Sequence, residues 1–127
     1  MGYRSDIALT IRNEDWNNLV VLVKNHTFRE VLTDLIQYAD IKQNSKFTVL
    51  TWECVKWCED FPEVQFIESF IIDVPHVFCR IGEDDNDCEY KFNSENISNE
   101  LFGEMSGISM IIRKITINFD GEEIQLE

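Results

Sequence analysis

Residues 3–24 read YRSDIALTIRNEDWNNLVVLVK, and two different hydrophobic periods follow one another within them. Up to Arg12 the apolar residues occupy every second position, which is typical of a β-strand with one buried face. Asn13 can cap a helix, and from Trp16 onward the apolar residues recur at helical spacing. A strand that leads directly into an amphipathic helix favours a fold in which helices cover a sheet.

The same two patterns continue along the chain. Thr27 and Glu30 match a capping box, which predicts the start of a second helix that ends near Asp40. A second strand is predicted from Phe47 to Trp52, and Pro62 marks the first turn of a third helix. The predicted buried face of the second helix consists of Phe28, Val31, Leu32, Leu35 and Ile36.

A β-hairpin is predicted over residues 76–92. If its loop is centred between Glu83 and Asp84, Cys79 lies opposite Cys88 in the pair of strands. Alternation then divides the hairpin between a buried face and an outer face. The buried face would hold Val77, Cys79, Ile81, Cys88, Tyr90 and Phe92, and the outer face Arg80, Glu89 and Lys91.

The C-terminal part completes the predicted architecture. Residues 93–107 are polar and predict a long loop, with one helical turn around residues 101–105. A β-branched strand is predicted from Met110 to Phe119, followed by a turn and a short last strand that contains Ile124. We therefore expect one α+β domain over residues 1–127, with a mainly antiparallel sheet and the helices packed on one face.

Charge is distributed unevenly along the sequence. Residues 1–52 hold six acids and six bases, whereas residues 53–127 hold eighteen acids and five bases. The second part therefore supplies the whole net charge of −13. A strongly acidic surface argues against direct binding of nucleic acid or of an anionic membrane, and it favours a basic partner.

Two acidic groups and two tryptophans are the candidate binding residues. A run of acids that repels itself resists compaction unless a partner or solvent relieves it. Tryptophan is frequent at interface hot spots, although core packing is the alternative for both tryptophans. The candidates are Glu83, Asp84, Asp85, Asp87 and Glu89, then Glu59, Asp60 and Glu63, and finally Trp52 with Trp57.

The four cysteines raise the question of a metal site. Cys54 and Cys58 have a spacing compatible with zinc, but Cys79 and Cys88 are far apart in sequence unless a hairpin joins them. The sequence therefore favours packed, reduced cysteines, no metal and no cofactor. No apolar run has the length of a membrane span and no secretory signal is present, so we expect an intracellular, cytoplasmic protein.

Two short segments carry a family resemblance. Residues 3–9 read YRSDIAL, and WECVKW at 52–57 is followed by VQFIESF at 64–70. Together they resemble a group of small proteins encoded by phages and prophages, although Cys58 stands where that group has an aromatic residue. The resemblance implies a phage-borne accessory protein and assigns no catalytic residue.

Three functional hypotheses follow from these patterns. The first is a non-enzymatic acidic protein that blocks a basic, nucleic-acid-handling host defence complex, as an anti-CRISPR protein or a DNA mimic does. The second is a self-assembling phage structural or accessory subunit, a homo-oligomer that uses its edge strands with Trp52 and Trp57. The third is a small zinc-dependent enzyme that uses the cysteines.

Overall fold

A six-stranded antiparallel sheet forms the frame of the computed structural model, which describes residues 3–84, 86–95, 97–108 and 121–124. Its strands are β1 Ser5–Arg12, β2 Asp40–Gln43, β3 Phe47–Val55, β4 His76–Gly82, β5 Cys88–Asn93 and β6 Glu122–Glu123. Across the sheet the strands lie in the order β5-β4-β1-β3-β2-β6. The helices are α1 Asn13–Lys24, α2 Arg29–Gln37, α3 Pro62–Ile72 and α4 Asn99–Ile108.

The main core lies between one face of the sheet and helices α1, α2 and α3. On β1 it contains the alternating residues Ile7, Leu9 and Ile11, as the sequence predicts. On the opposite face, Met105 of α4 packs with Phe47 and Val77 in a second, smaller cluster. In the central strands, residues that point to either face of the sheet are therefore buried.

The predicted α+β class with an antiparallel sheet is confirmed. Packing of the helices on one face holds for α1, α2 and α3, whereas α4 lies on the other face. Helix α4 also occupies much of the predicted loop at residues 93–107, and the short polar strand β2 was not predicted. The predicted strand from Met110 to Phe119 lies outside the described residues.

Both predicted helix caps differ from the structure. Asn13 is the first residue of α1, and its side chain reaches the β2–β3 connection, where Nδ2 donates to the carbonyl oxygen of Asn44 at 2.9 Å. Helix α2 begins at Arg29 without a side-chain cap. Nδ1 of His26 accepts the Phe28 N–H instead, at 3.0 Å. Local side-chain bonds with other partners have replaced the expected capping bonds.

The β4–β5 hairpin has a loop one residue further along than predicted. Cys79 pairs with Tyr90 and Ile81 with Cys88, so Cys79 and Cys88 are not opposite each other. The predicted division into two faces holds, but burial on β5 is reversed. Tyr90 and Phe92 are exposed, whereas Glu89 and Lys91 are half-buried on the face that α3 covers.

None of the helices in the described ranges is long and apolar enough to span a membrane.

Candidate functional site

The sheet register brings the two acidic segments of the sequence to the same end of the molecule. Ser5, at the start of β1, pairs with Val55 at the end of β3 and with Gly82 at the end of β4. Neighbouring strands lie about 4.8 Å apart, and β1 lies between β3 and β4. The loops that follow β3 and β4 therefore begin about 10 Å apart. We call this surface the acidic end, and it comprises residues 53–63, residues 83–84 and 86–89, and Tyr3 with Arg4 between them.

Tyr3 and Arg4 connect the two halves of the acidic end. The backbone N–H of Arg4 donates to Oε2 of Glu83 at 2.6 Å, and its Nη1 donates to the carbonyl oxygen of Cys54 at 3.2 Å. The Tyr3 hydroxyl donates to Oδ2 of Asp87 at 2.7 Å and accepts the N–H of Asp84 at 3.2 Å. The segment before β1 is thus bound to the end of β3 on one side and to the β4–β5 turn on the other.

Arg80 binds two of the five acids of the predicted run. Its Nη2 donates to Oδ1 of Asp87 at 2.8 Å, its Nε to Oε1 of Glu89 at 3.1 Å and its Nη1 to Oγ of Ser5 at 3.2 Å. The hydrogen bonds from Arg80 and then Tyr3 lower the pKa of Asp87 to about 2. The hydrogen bonds to Asp87 and then to Glu89 raise the pKa of Arg80. Asp87 and Glu89 therefore organise the turn rather than face a partner as unpaired charges.

The lowered pKa of Asp87 predicts a loss of stability in acid. Above the unfolded-state pKa of about 3.9 the ionised form contributes its full stabilisation, which is lost as the pH falls toward the folded-state value of about 2. We expect the urea midpoint of Asp87→Asn to fall less steeply than that of the wild type between pH 4 and 2. Asp84→Asn removes an exposed acid of the same turn and should retain the wild-type slope. Equal slopes for all three proteins would show that the pKa of Asp87 is not lowered in the folded protein.

The predicted acidic residues differ in how accessible they are. Glu59, Asp60, Glu83 and Asp84 are exposed, whereas Glu63 is half-buried at the start of α3. Oδ1 of Asp84 accepts the N–H of Asn86 at 3.0 Å, which shapes the turn and leaves the side chain at the surface. Asp85 lies outside the described residues. The exposed carboxylates of the acidic end come from both loops.

The two tryptophans belong to the core. Trp52 is fully buried, and its Nε1–H donates to the carbonyl oxygen of Leu35 at 2.8 Å. The half-buried Trp57 packs beside it with ring centroids 5.2 Å apart, and donates to Oε2 of Glu68 at 2.9 Å. Of the two hypotheses for this pair, a binding surface or core packing, the structure favours core packing. Trp52 has no exposed surface to offer a second molecule, and the half-buried Trp57 already donates its indole N–H to Glu68.

An irregularity at the end of β3 directs the chain into the acidic end. Cys54 has a φ of 58°, and the β1–β3 register shifts between Ser5 and Ile7, as in a β-bulge. A carboxylate oxygen of Asp6 accepts the N–H of Cys54 at 2.9 Å. A left-handed backbone is costly for a residue with a Cβ, so this bond stabilises a strained turn beside the acidic end.

The cysteines are free thiols in different surroundings. Cys79 is buried, and burial raises the pKa of its thiol, whereas Cys54 and Cys88 are exposed. Within the described part of the chain, no group of three His, Cys, Asp or Glu side chains could hold a metal ion. The zinc hypothesis therefore gains no support from these side chains, and we do not propose it.

A groove between α2 and α3 was missed by the sequence analysis. It encloses about 510 Å³, within the range of ligand pockets, and it opens beside Arg4 at the acidic end. Phe28 and Val31, both predicted to be buried, are 52% and 39% exposed, and Val31 lines the groove. The sequence held no signal of this exposure, because the five positions follow the i, i+3, i+4, i+7, i+8 spacing of an ordinary helix with one buried side.

Comparison with protein-family models, with curated proteins and with solved structures gives no match to this chain.

Proposed function

We propose that this chain is a non-enzymatic binding protein that uses its acidic end to occupy a basic surface of a partner protein. The observation that carries the proposal is the register of β1 with both β3 and β4, which gathers two acidic loops at one end of the sheet. A surface of one charge sign attracts an oppositely charged partner and accelerates their encounter.

Exposed carboxylates from two loops are suited to sites that normally hold phosphates. Glu59 and Asp60 lie in the loop that follows β3, and Glu83 and Asp84 in the turn that follows β4, and the two strand ends are about 10 Å apart with β1 between them. Arginine and lysine bind carboxylate and phosphate oxygens through the same charge-assisted hydrogen bonds. The mechanism that we propose is competition, in which the acidic end occupies positions that the partner uses for nucleic acid.

The class of partner follows from charge together with the phage resemblance. A phage-borne acidic protein would act in the host cytoplasm, and its basic partner would be a nucleic-acid-handling defence complex such as a CRISPR effector. This part of the proposal rests on the short matching segments at residues 3–9 and 52–70. It makes the protein an inhibitor of the anti-CRISPR or DNA-mimic kind.

The test is capture of partners from nuclease-treated bacterial lysate on the immobilised protein, at 0.1 M and 1 M salt, with identification by mass spectrometry. Exposed charges are screened beyond about 10 Å at 0.1 M and beyond about 3 Å at 1 M, so a charge-dependent partner should be lost at high salt. Added double-stranded DNA should displace the same partner. A partner retained at 1 M salt and indifferent to DNA would contradict the mimic mechanism.

A matched pair of variants tests the location of the contact. Glu59→Gln with Glu63→Gln removes two charges from the acidic end, and we expect the captured partner to bind about tenfold more weakly. β6 pairs with Lys42 and Gln43 of β2, on the side of the sheet away from the acidic end. Glu122→Gln with Glu123→Gln removes two charges there and should leave the affinity unchanged. Equal weakening by both double variants would show that net charge, not the acidic end, governs binding.

Self-assembly remains a second candidate because of one observation on β5. In the described sheet this strand lies at an edge, and Phe92 on it is 67% exposed. Apolar residues on an edge strand favour pairing with another chain. Light scattering separates the two candidates: a stable homo-oligomer that captures no host protein supports the subunit, whereas a monomer excludes it.

A further inference from the structure

The groove between α2 and α3 has an apolar floor and walls from three elements. Val31 and Leu35 come from α2, Val55 from the end of β3, and Phe61 and Val64 from the start of α3. The space of about 510 Å³ between these elements is open to solvent. A cleft of this size accepts one or two large apolar side chains.

The charged residues around the groove determine whether it favours a positively or a negatively charged occupant. Asp34 on α2 and Glu63 on α3 lie on its two walls, and the exposed Glu59 and Asp60 lie in the loop that leads into α3. The cations at the groove are Lys56 and Arg4, so the lining itself holds two acids and two cations. With Glu59 and Asp60, which directly precede the lining residue Phe61, four carboxylates stand against two cations, and the potential favours a positively charged occupant.

The apolar surface extends beyond the groove along α2. Tyr38 lines the groove itself and is 63% exposed, and the exposed Phe28 lies on the neighbouring surface that Val31 also lines. From Phe28 to Tyr38 these side chains follow α2 over ten residues, or about 15 Å at 1.5 Å per residue. Contiguous exposed apolar surface with a polar rim is typical of protein–protein contact sites. The extent of this apolar surface therefore favours a segment of a protein as the occupant.

We infer that this groove is the anchoring site of the acidic end, and that it takes a segment of the partner in which a large apolar side chain is flanked by lysine or arginine. The inference rests on the proposed function and adds the source of its binding energy. A fully desolvated apolar anchor supplies most of the affinity of an interface, while the charged rim excludes water and selects the partner. The charges of the acidic end accelerate the encounter with the partner, and the groove supplies most of the binding energy.

The test is a titration of the 15N-labelled protein followed by amide NMR shifts. The probe is a hexapeptide with two lysines on each side of a central Leu-Phe pair. One matched peptide has Ala-Ala at the centre, and another has glutamates in place of the lysines. We expect saturable shifts at the α2 and α3 residues that line the groove, with the Leu-Phe, lysine-flanked peptide binding about tenfold more tightly than either control.

Two variants of one substitution type locate the site. Val31→Asn replaces an apolar wall of the groove by a polar side chain without changing its charge, and should weaken binding of the Leu-Phe, lysine-flanked peptide by about tenfold. Val21→Asn makes the same change at an exposed valine of α1, outside the groove, and should leave binding unchanged. Equal weakening by both variants, or shifts confined to other parts of the protein, would overturn the inference.

The two control peptides separate this inference from the proposed function. If the Ala-Ala peptide binds as tightly as the Leu-Phe peptide, the groove is not an anchor, although the acidic end still binds basic segments. If the glutamate-flanked peptide binds equally well, the groove does not select a positively charged occupant and the inference is overturned, whereas the proposed function still stands or falls with the salt-dependent capture. Groove shifts that depend on protein concentration without peptide would identify a second copy of the chain as the occupant and overturn the inference.

Discussion

Replacing Trp52 by alanine is expected to lower the free energy of unfolding by about 3–5 kcal/mol, the range for removing a large aromatic side chain from a core. The indole is fully buried between the sheet and the helices. Its Nε1–H donates to the carbonyl oxygen of Leu35 at 2.8 Å, so truncation also leaves an acceptor of α2 without this donor. The loss would be measured by urea unfolding followed by far-UV circular dichroism.

Two further variants keep this prediction testable if Trp52→Ala does not fold. Trp52→Phe keeps most of the ring and loses the bond to Leu35, for an expected cost of about 1–3 kcal/mol. Trp57→Phe removes a bond to the half-buried Glu68 and should cost less. A small stability loss for Trp52→Phe combined with loss of partner capture would instead assign this residue to binding.

The strand β1 and the helix α1 can be predicted from the sequence because neighbouring residues specify them. Residues 3–24 contain both periods within one short stretch, so the strand and the helix are specified by neighbouring residues. The same holds for α3, whose start at Pro62 was predicted and whose buried residues Val64, Ile67 and Ile71 follow helical spacing. Elements with a strong period and a clear boundary signal are the most predictable.

The differences arise where tertiary contacts override local patterns. Burial on β5 is reversed because α3 covers the face with Glu89 and Lys91, which alternation alone assigns to solvent. Lys91 lies 3.6 Å from Glu68 of α3, so a cross-element ion pair accompanies its partial burial. Similarly, α4 occupies a segment whose polar composition predicts a loop, and it is held against the sheet by the fully buried Met105.

The acidic end was predictable in composition but not in arrangement. Sequence spacing separates Glu59 from Glu83 by more than twenty residues and gives no indication that both flank Arg4. Their proximity depends on β1 lying between β3 and β4, which is a property of strand order. Sequence also does not reveal that Arg80 binds Asp87 and Glu89, because such a bond depends on hairpin register.

Replacing Gly82 by alanine is expected to destabilise the protein by about 1–3 kcal/mol, the usual cost of inserting a methyl group into a filled space. The reason is space and not backbone conformation, since no described glycine has a positive φ. A Cβ at Gly82 would overlap the hydroxyl and ring of Tyr3 and Oδ2 of Asp87. The methyl group would therefore separate the two side chains whose hydrogen bond connects the start of the chain to the β4–β5 turn.

A double-mutant cycle with Tyr3→Ala distinguishes this mechanism from a general effect of the substitution. Removing the Tyr3 ring vacates part of the space that the new methyl group needs, so Gly82→Ala should cost less in the Tyr3→Ala background than alone. Gly103→Ala is the matched control, because a Cβ at Gly103 of α4 meets no atom within 4 Å and alanine favours a helix. Additive costs of the Tyr3 and Gly82 changes would show that they act independently, and that the acidic end does not depend on the close approach of these two residues.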